Sequence, residues 1–365
     1  MDTTRLSHLY DDPGPFATVM IDVSQDSENG RHEHDLRVRA AADALTEQGA
    51  PASVVEQVTA RLDEQIDEPS PVARTVVVSP SGVLLDQVGH HRVDQPHVRW
   101  AVLPDLGPWI DHQDAVTTFV LAVVDHEGGD VAVYDSDVPE PQEQTTAGGE
   151  TYRVHKVPVG GWSALRYQHV TENVWARNAE AVADEVEHNV RAGHRLVLLA
   201  GDPQSLPVVR ERLAETPATV VQLESGSRSA DGGEEALQQA IREALMAHVV
   251  ERRLDDLHEL RDRMGAGTSV ATGVDEVADA FVRGQVDTLL IDPQGTEELT
   301  FEPERHPGLT FGAVTPGSSV PAGQALVAAA VTTAARVRVA PGPALGTPVA
   351  ALLRWDQQAV GSEAG

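Results

Sequence analysis

The sequence predicts a multidomain chain of α/β and α+β class with mixed sheets. Short apolar runs of strand length alternate with longer stretches whose apolar residues recur every three or four positions. That order builds parallel or mixed sheets covered by helices. One run, RLVLLA at 195–200, is apolar almost throughout, as a strand buried on both faces is. A length of 365 residues also exceeds one ordinary domain, at about 100–200 residues each. We expect three domains, 1–112, 113–246 and 247–365. The last boundary falls either near 247 or at the glycine break at 265–267.

In the first domain, residues 16–22 (FATVMID) form a short apolar strand. Residues 36–48 read as a helix that stops at Gly49. A second helix starts near Ser53, where Glu56 three residues on completes a capping box. Val54, Val58, Leu62 and Ile66 recur at spacing four and give that helix one buried face. Residues 75–79 and 83–88 flank Pro80-Ser81-Gly82, a hairpin signal, and 100–103 is a further strand.

In the second domain, 118–124 (TFVLAVV) and 131–134 (VAVY) pair across Gly128-Gly129. Residues 139–149 are polar and loop-like, and 152–157 look extended. A glycine-containing loop then leads into a long helix, about 163–190. Its apolar stripe is Val170, Val174, Val182, Val186 and Val190, interrupted by the polar Asn178. Strand 195–200, helix 206–213, strand 219–223 and a loop at 226–233 follow. Helix 234–264 is polar and unbroken, long enough to bridge two domains. In the third domain, Val274, Val277, Ala278, Phe281 and Val282 mark an amphipathic helix ended by Gly284. Residues 286–291 are a strand, 325–335 an alanine-rich helix, and 336–339 and 349–354 closing strands. There is no internal repeat.

Composition narrows the function classes. With no cysteine, disulfides, thiolate nucleophiles and cysteine-ligated metal sites are excluded. No apolar stretch reaches the length of a membrane span, and the start, MDTTRLSHLYDD, lacks the basic-then-apolar order of a signal peptide. The expected location is the cytoplasm, with no membrane partner. The 57 acidic and 27 basic residues give a formal net charge of −30, spread along the chain rather than held in one tail. Such a surface serves solubility and opposes broad nonspecific binding to nucleic acid, DNA included, while leaving room for one local basic patch.

The common catalytic signatures are missing. The chain has no GxxxxGK[ST] loop, no GxGxxG after an expected strand and no GxSxG. His32 and His34 are two apart and His90 and His91 adjacent, neither pair at the helical spacing of a zinc protease, so all four are expected at the surface. No metal, cofactor or catalytic residue is expected.

One segment differs from the rest. Residues 151–171 (TYRVHKVPVGGWSALRYQHVT) carry Arg153, Lys156 and Arg166 and no acid, and Lys156 is the sole lysine of the chain. His155 and His169 add charge at lower pH. Gly160 and Gly161 precede the expected helix, where glycine permits close backbone approach and helix amides favour phosphate. Trp162 and Tyr167 offer flat faces for stacking on a base. The same residues also suit an ordinary strand–loop–helix connection with Trp162 packed in a core.

Gly160-Gly161-Trp162-Ser163-Ala164-Leu165-Arg166-Tyr167 resembles the Gly-Gly-Gln-Ser-Ala-x-Arg-Phe segment of the archaeo-eukaryotic class-one translation release factor superfamily. The strand pair before the loop, the long helix after it and RLVLLAGDP at 195–203 are similar to the middle domain of those factors. GVDEVADAFVRGQVDTLLID at 273–292 is similar to their C-terminal domain, which implies a ribosomal L7Ae/L30e-like fold for the last domain. The likeness is to the superfamily's bacterial branch, common in actinobacteria, which includes hibernation factors of the Balon type. It covers roughly residues 115–295.

The resemblance implies an RNA-binding loop of Arg153, His155, Lys156, Gly160, Gly161, Trp162, Ser163, Arg166 and Tyr167, set near the peptidyl-transferase centre of the 70S ribosome and its ribosomal RNA. It also implies a possible elongation-factor-type GTPase as partner. The departures are as informative. Trp162 stands where the family has the glutamine that positions the attacking water, and an indole offers one N–H donor and no carbonyl acceptor. The lysine- and cysteine-containing motifs of stop-codon reading have no counterpart in residues 1–112. The implied function is a non-catalytic factor occupying the A site of idle or stalled ribosomes. Two alternatives stand beside it: a peptidyl-tRNA hydrolase or rescue factor using Gln168 or His169, and a stress-linked RNA- or protein-binding module off the ribosome.

Overall fold

The computed structural model describes residues 1, 3–26, 29–66, 68, 70–125, 128–148, 175–224 and 233–355. Contacts divide the chain into two compact units. One combines Met1–Ala115 with Arg252–Gly365, and the other is Val116–Glu251. The first and last expected domains share one unit.

In the N-terminal part of that shared unit, a 3-10 turn at Thr4–Asp11 precedes β1 (Phe16–Asp22). Helices α1 (Gly30–Glu47) and α2 (Ala52–Leu62) follow, then β2 (Ala73–Ser79), β3 (Gly82–Gly89), β4 (His97–Ala101) and α3 (Gly107–Ala115). The sheet order is β3-β2-β1-β4, antiparallel throughout, with β4 at one edge. Alternation along β1 sends Ala17, Val19 and Ile21 toward α1 and α2, where Val38, Leu45, Val54, Val58 and Leu62 close a core. Phe16, on the other face, joins a second core.

The apolar run of β1 gives it the expected bounds. Helix α1 begins earlier than expected, and α2 begins at Ala52 behind Pro51 with no side-chain cap. The Ser53–Glu56 capping box does not form because Ser53 already lies inside the first turn, its carbonyl accepting from Gln57 Nε2 at 3.1 Å. His34 is buried at 3 % exposure in the α1 core stripe, which corrects its expected surface position; His32 is exposed, and His90 and His91 are half-buried. His90 Nε2 lies 2.7 Å from Glu68, and the His91 ring stacks on His112.

The middle unit holds β5 (Thr118–Asp125), β6 (Gly128–Asp135), β7 (Glu143–Ala147), α4 (Trp175–Ala192), β8 (Leu196–Gly201), α5 (Leu206–Arg212) and β9 (Thr219–Gln222). Its sheet order is β7-β6-β5-β8-β9, antiparallel from β7 to β5 and parallel from β5 to β9. Gly128 and Gly129 belong to β6 itself rather than to the turn. A Cβ on Gly128, at φ +147°, would sit 2.2 Å from the Ala147 carbonyl. Residues 143–147, expected as loop, are an edge strand.

Helix α6 (Gly233–Ala266) runs 34 residues, and the division between the units falls within it. Its Ile241 and Leu245 complete one core of the middle unit, and its Leu257 and Leu260 a core of the other.

The C-terminal part adds β10 (Val270–Thr272), α7 (Val274–Val282), β11 (Val286–Ile291), β12 (Thr300–Phe301), β13 (Val320–Pro321), α8 (Ala322–Thr332), β14 (Arg336–Val339), α9 (Gly342–Leu345) and β15 (Val349–Leu353). Sheet order is β10-β15-β11-β14, mixed, with β11 and β14 parallel. The largest core joins both chain ends: Leu6, Leu9, Tyr10, Phe16 and Ile110 pack with residues of α7, β11 and α8. The fold class is the expected one, a mixed α/β chain, with two mixed sheets among the described residues. Among the described residues, no helix is long and apolar enough to cross a membrane.

Candidate functional site

The candidate segment is framed by the middle unit. Strand β7, at the sheet edge, ends at Ala147, and α4, packed on one sheet face, begins at Trp175. Val182, Val186 and Val190 of α4 are buried against Val120, Val131 and Val197, as their spacing predicts, and Asn178 is buried among them. Arg153, His155, Lys156, Gly160, Gly161, Trp162, Ser163, Arg166 and Tyr167 lie outside the described residues, as do Gln168 and His169.

Around the anchors the chemistry is structural. Thr146 Oγ1 donates to Asp130 at 2.6 Å, fixing β7 to β6. Burial, with the neighbouring Asp130 charge second, pushes the Tyr134 hydroxyl up to about 12, so it stays protonated. At the ends of the parallel strands, Gly201 (φ +126°) passes so close to β5 that a Cβ would sit 1.9 Å from the Val124 carbonyl. The next amide, Asp202 N–H, donates to that same oxygen at 2.8 Å. Ser205 Oγ donates to Asp202 at 3.1 Å. A carboxylate beside a hydroxyl, without an imidazole between them, is a turn-forming contact rather than the proton relay an acyl-transfer nucleophile needs.

Residues 118–266 match the family model of the bacterial archaeo-eukaryotic release factor family 2. Residues 118–266 are release-factor-like. That stretch spans the sheet β5–β9, α4, α5 and α6, and Gly160, Gly161 and Trp162 fall within it in sequence. Two uncharacterized Mycobacterium tuberculosis proteins, Rv2629 of strain H37Rv and MT2704 of strain CDC 1551, are each 27 % identical over 310 residues, covering 81 % of this chain and 79 % of theirs. Among solved structures, Archaeoglobus fulgidus Pelota aligns over 98 % of this chain and 93 % of its own at 14 % identity and a TM-score of 0.37. Saccharomyces cerevisiae Dom34, a translation termination-like factor interacting with Hbs1, aligns over 99 % and 95 % at 9 % identity and a TM-score of 0.41.

Sequence reasoning passed over a second set of polar residues in the other unit. Asp114 is fully buried, yet its carboxylate lies 3.3 Å from Arg338 Nη1, 3.4 Å from Arg252 Nη2 and 3.8 Å from Arg253 Nε, and accepts from Val339 N–H at 3.2 Å. The Arg252 guanidinium also donates to the Asp114 backbone carbonyl. Burial pushes the nearby Asp256 carboxyl upward. Helices α3 and α6 and strand β14 thus meet on one carboxylate. The signal in the sequence was a lone acid in a short helix, too common a pattern to single out.

Proposed function

We propose that the protein is a non-catalytic ribosome-binding factor that occupies the A site of idle or stalled ribosomes. The observation that carries this reading is Trp162 in the place of the catalytic glutamine, inside a segment whose whole span matches a release-factor family model. In this reading residues 113–246 act as the middle domain and present the Gly160–Gly161–Trp162 loop near the peptidyl-transferase centre. Arg153, Lys156 and Arg166 neutralise ribosomal-RNA phosphates, with His155, Ser163 and Tyr167 beside them. Trp162 stacks on a base. Residues 247–365 serve as an L7Ae/L30e-like domain that meets an elongation-factor-type GTPase, and the protein works in the cytoplasm. The acidic remainder of the chain limits binding elsewhere, so loop contacts carry the specificity.

The test is co-sedimentation of the tagged protein with 70S ribosomes from growing and stationary cells, beside release of labelled peptide from stalled ribosomes. The expected result is association in idle cells, weakened by Trp162→Ala and by Lys156→Ala, with no peptide release. Absence from ribosomal fractions in both growth states sinks the proposal. Peptide release that is lost in Gln168→Ala assigns the chain to the rescue enzymes instead.

A further inference from the structure

The N-terminal sheet ends at β4, and an edge strand presents backbone groups that call for a partner. On β4 that partner is a side chain. Gln48, exposed at the end of α1, donates from Nε2 to the Val98 carbonyl at 3.1 Å and accepts the Trp100 N–H on Oε1 at 2.8 Å. One primary amide thus makes the two hydrogen bonds that a residue of a fifth strand would make. Because Val98 and Trp100 point their backbone groups outward, His97, Arg99 and Ala101 are the positions bonded toward β1.

Each face of this edge opens on a hollow. On the α1 face it is shallow, about 540 Å³, with Leu36, Ala40, Ala44 and Val98 as its apolar floor and Arg37, His97 and Arg99 also in its wall. On the opposite face a cavity of about 300 Å³ runs from Arg99 and Ala101 to α8, with Asp105, Glu297 and Gln324 in its wall. Gln324 is 7 % exposed and its Oε1 has no hydrogen-bond partner among the described residues. With the amide nitrogen turned toward the Asp105 carboxylate, whose pKa it helps to lower, that oxygen is an acceptor without a donor among the described residues. Burial pushes the Asp105 carboxyl up, but His97, Gln324 and Arg99 outweigh it and hold it below the ordinary carboxylate range, so it is ionised at neutral pH. The cavity therefore gathers two carboxylates and an unfilled amide acceptor against one arginine.

An added strand sends alternate side chains to opposite faces of the sheet. Here one set would enter the alanine-lined hollow and the other the acceptor-rich cavity. We propose that the free edge of β4 is a docking edge for an extended, arginine-bearing segment of another polypeptide, and that Gln48 holds the edge until that segment arrives. Arginine fits the cavity because its planar donors serve carboxylates and an amide oxygen together. The net charge of −30 favours a basic partner and opposes pairing with a second copy of this chain.

The experiment uses the full chain and a fluorescein-labelled octapeptide of alternating valine and arginine, with fluorescence anisotropy at 0.15 M salt. Removing the plug with Gln48→Ala, an exposed helix-end change that leaves the cores intact, tightens binding by about tenfold, the worth of two hydrogen bonds no longer displaced. Glu297→Gln, also exposed, weakens it by roughly threefold. A block peptide of four valines then four arginines, an alternating valine–glutamate peptide, and the alternating peptide N-methylated along one edge all lose binding. Three results overturn the proposal: no binding to either wild type or Gln48→Ala, equal binding of the N-methylated or block peptide, or an affinity unmoved by Gln48→Ala. Self-association of Gln48→Ala in sedimentation equilibrium overturns it in favour of a second copy.

Discussion

Replacing Asp114 by alanine removes the one carboxylate on which α3, α6 and β14 converge. The side chain is fully buried, and its three arginine neighbours are 23 %, 26 % and 25 % exposed. Removing one partner of a buried ion pair costs about 3–5 kcal/mol, because the charges left behind are uncompensated. Here water reaches the guanidinium groups in part, which sets the expectation at the lower end, about 3 kcal/mol. The Val339 N–H loses its acceptor as well, and that loss is included rather than added. At about 2–4 °C per kcal/mol for a unit of this size, the unfolding temperature falls by roughly 6–12 °C. Differential scanning calorimetry at neutral pH measures it. Asp114→Asn keeps the shape and an acceptor for Val339, so it should fall between wild type and alanine. A loss under about 1 kcal/mol in Asp114→Ala would refute the reasoning and make the cluster a solvated surface network.

Three further outcomes are expected. Tyr10 is buried with its hydroxyl unpaired among the described residues, so Tyr10→Phe should stabilise the protein by about 1 kcal/mol in chemical denaturation; a loss of that size would mean the hydroxyl has a bound partner. Gly201→Ala forces a Cβ onto the Val124 carbonyl at a positive φ and should cost more than about 2 kcal/mol, read from the denaturation midpoint. Burial, ahead of the Arg37 charge, lowers the pKa of His34, so the unfolded chain binds the proton more readily; stability contributed by the neutral ring is full above about 6.5 and declines as pH falls toward the lower native value. His34→Leu should remove that part of the decline between pH 6.5 and 5, seen as the difference between the two pH–stability curves.

Much of the fold was legible because apolar runs and their periods speak for single elements. Strands 16–22, 286–291 and 336–339 have the bounds their sequences imply, and the valine stripe of α4 is buried where described. Polar strands were not legible: 143–147 (EQTTA) has no apolar alternation, and only its paired threonines hinted at extension. As half of a His-x-His pair, His34 suggests a surface position, and the fold buries it. Its spacing to Val38, Ala41 and Leu45, at i, i+4, i+7 and i+11, already put it on the inner face of α1. The sharing of one unit by the two chain ends was illegible, since periodicity shows that a face is apolar but not what covers it. The candidate loop was legible as chemistry: three cations, two glycines and a tryptophan stand out against an acidic chain. The β4 edge was not, because Gln48, Asp105 and Gln324 are ordinary residues until the fold brings them to one strand.

The core that joins Leu6, Leu9 and Tyr10 to α7 and α8 has a consequence for synthesis. A chain made from its N-terminus exposes the first 115 residues long before residues 252–365 exist. The inner face of that opening sheet must wait, unfilled, through the whole translation of Val116–Glu251. Contacts of such sequence separation are slow to form and leave apolar surface open meanwhile. The acidity of the chain then has a second use: like charges on nascent and finished copies keep the half-built sheet from finding the wrong partner while its own is still being made.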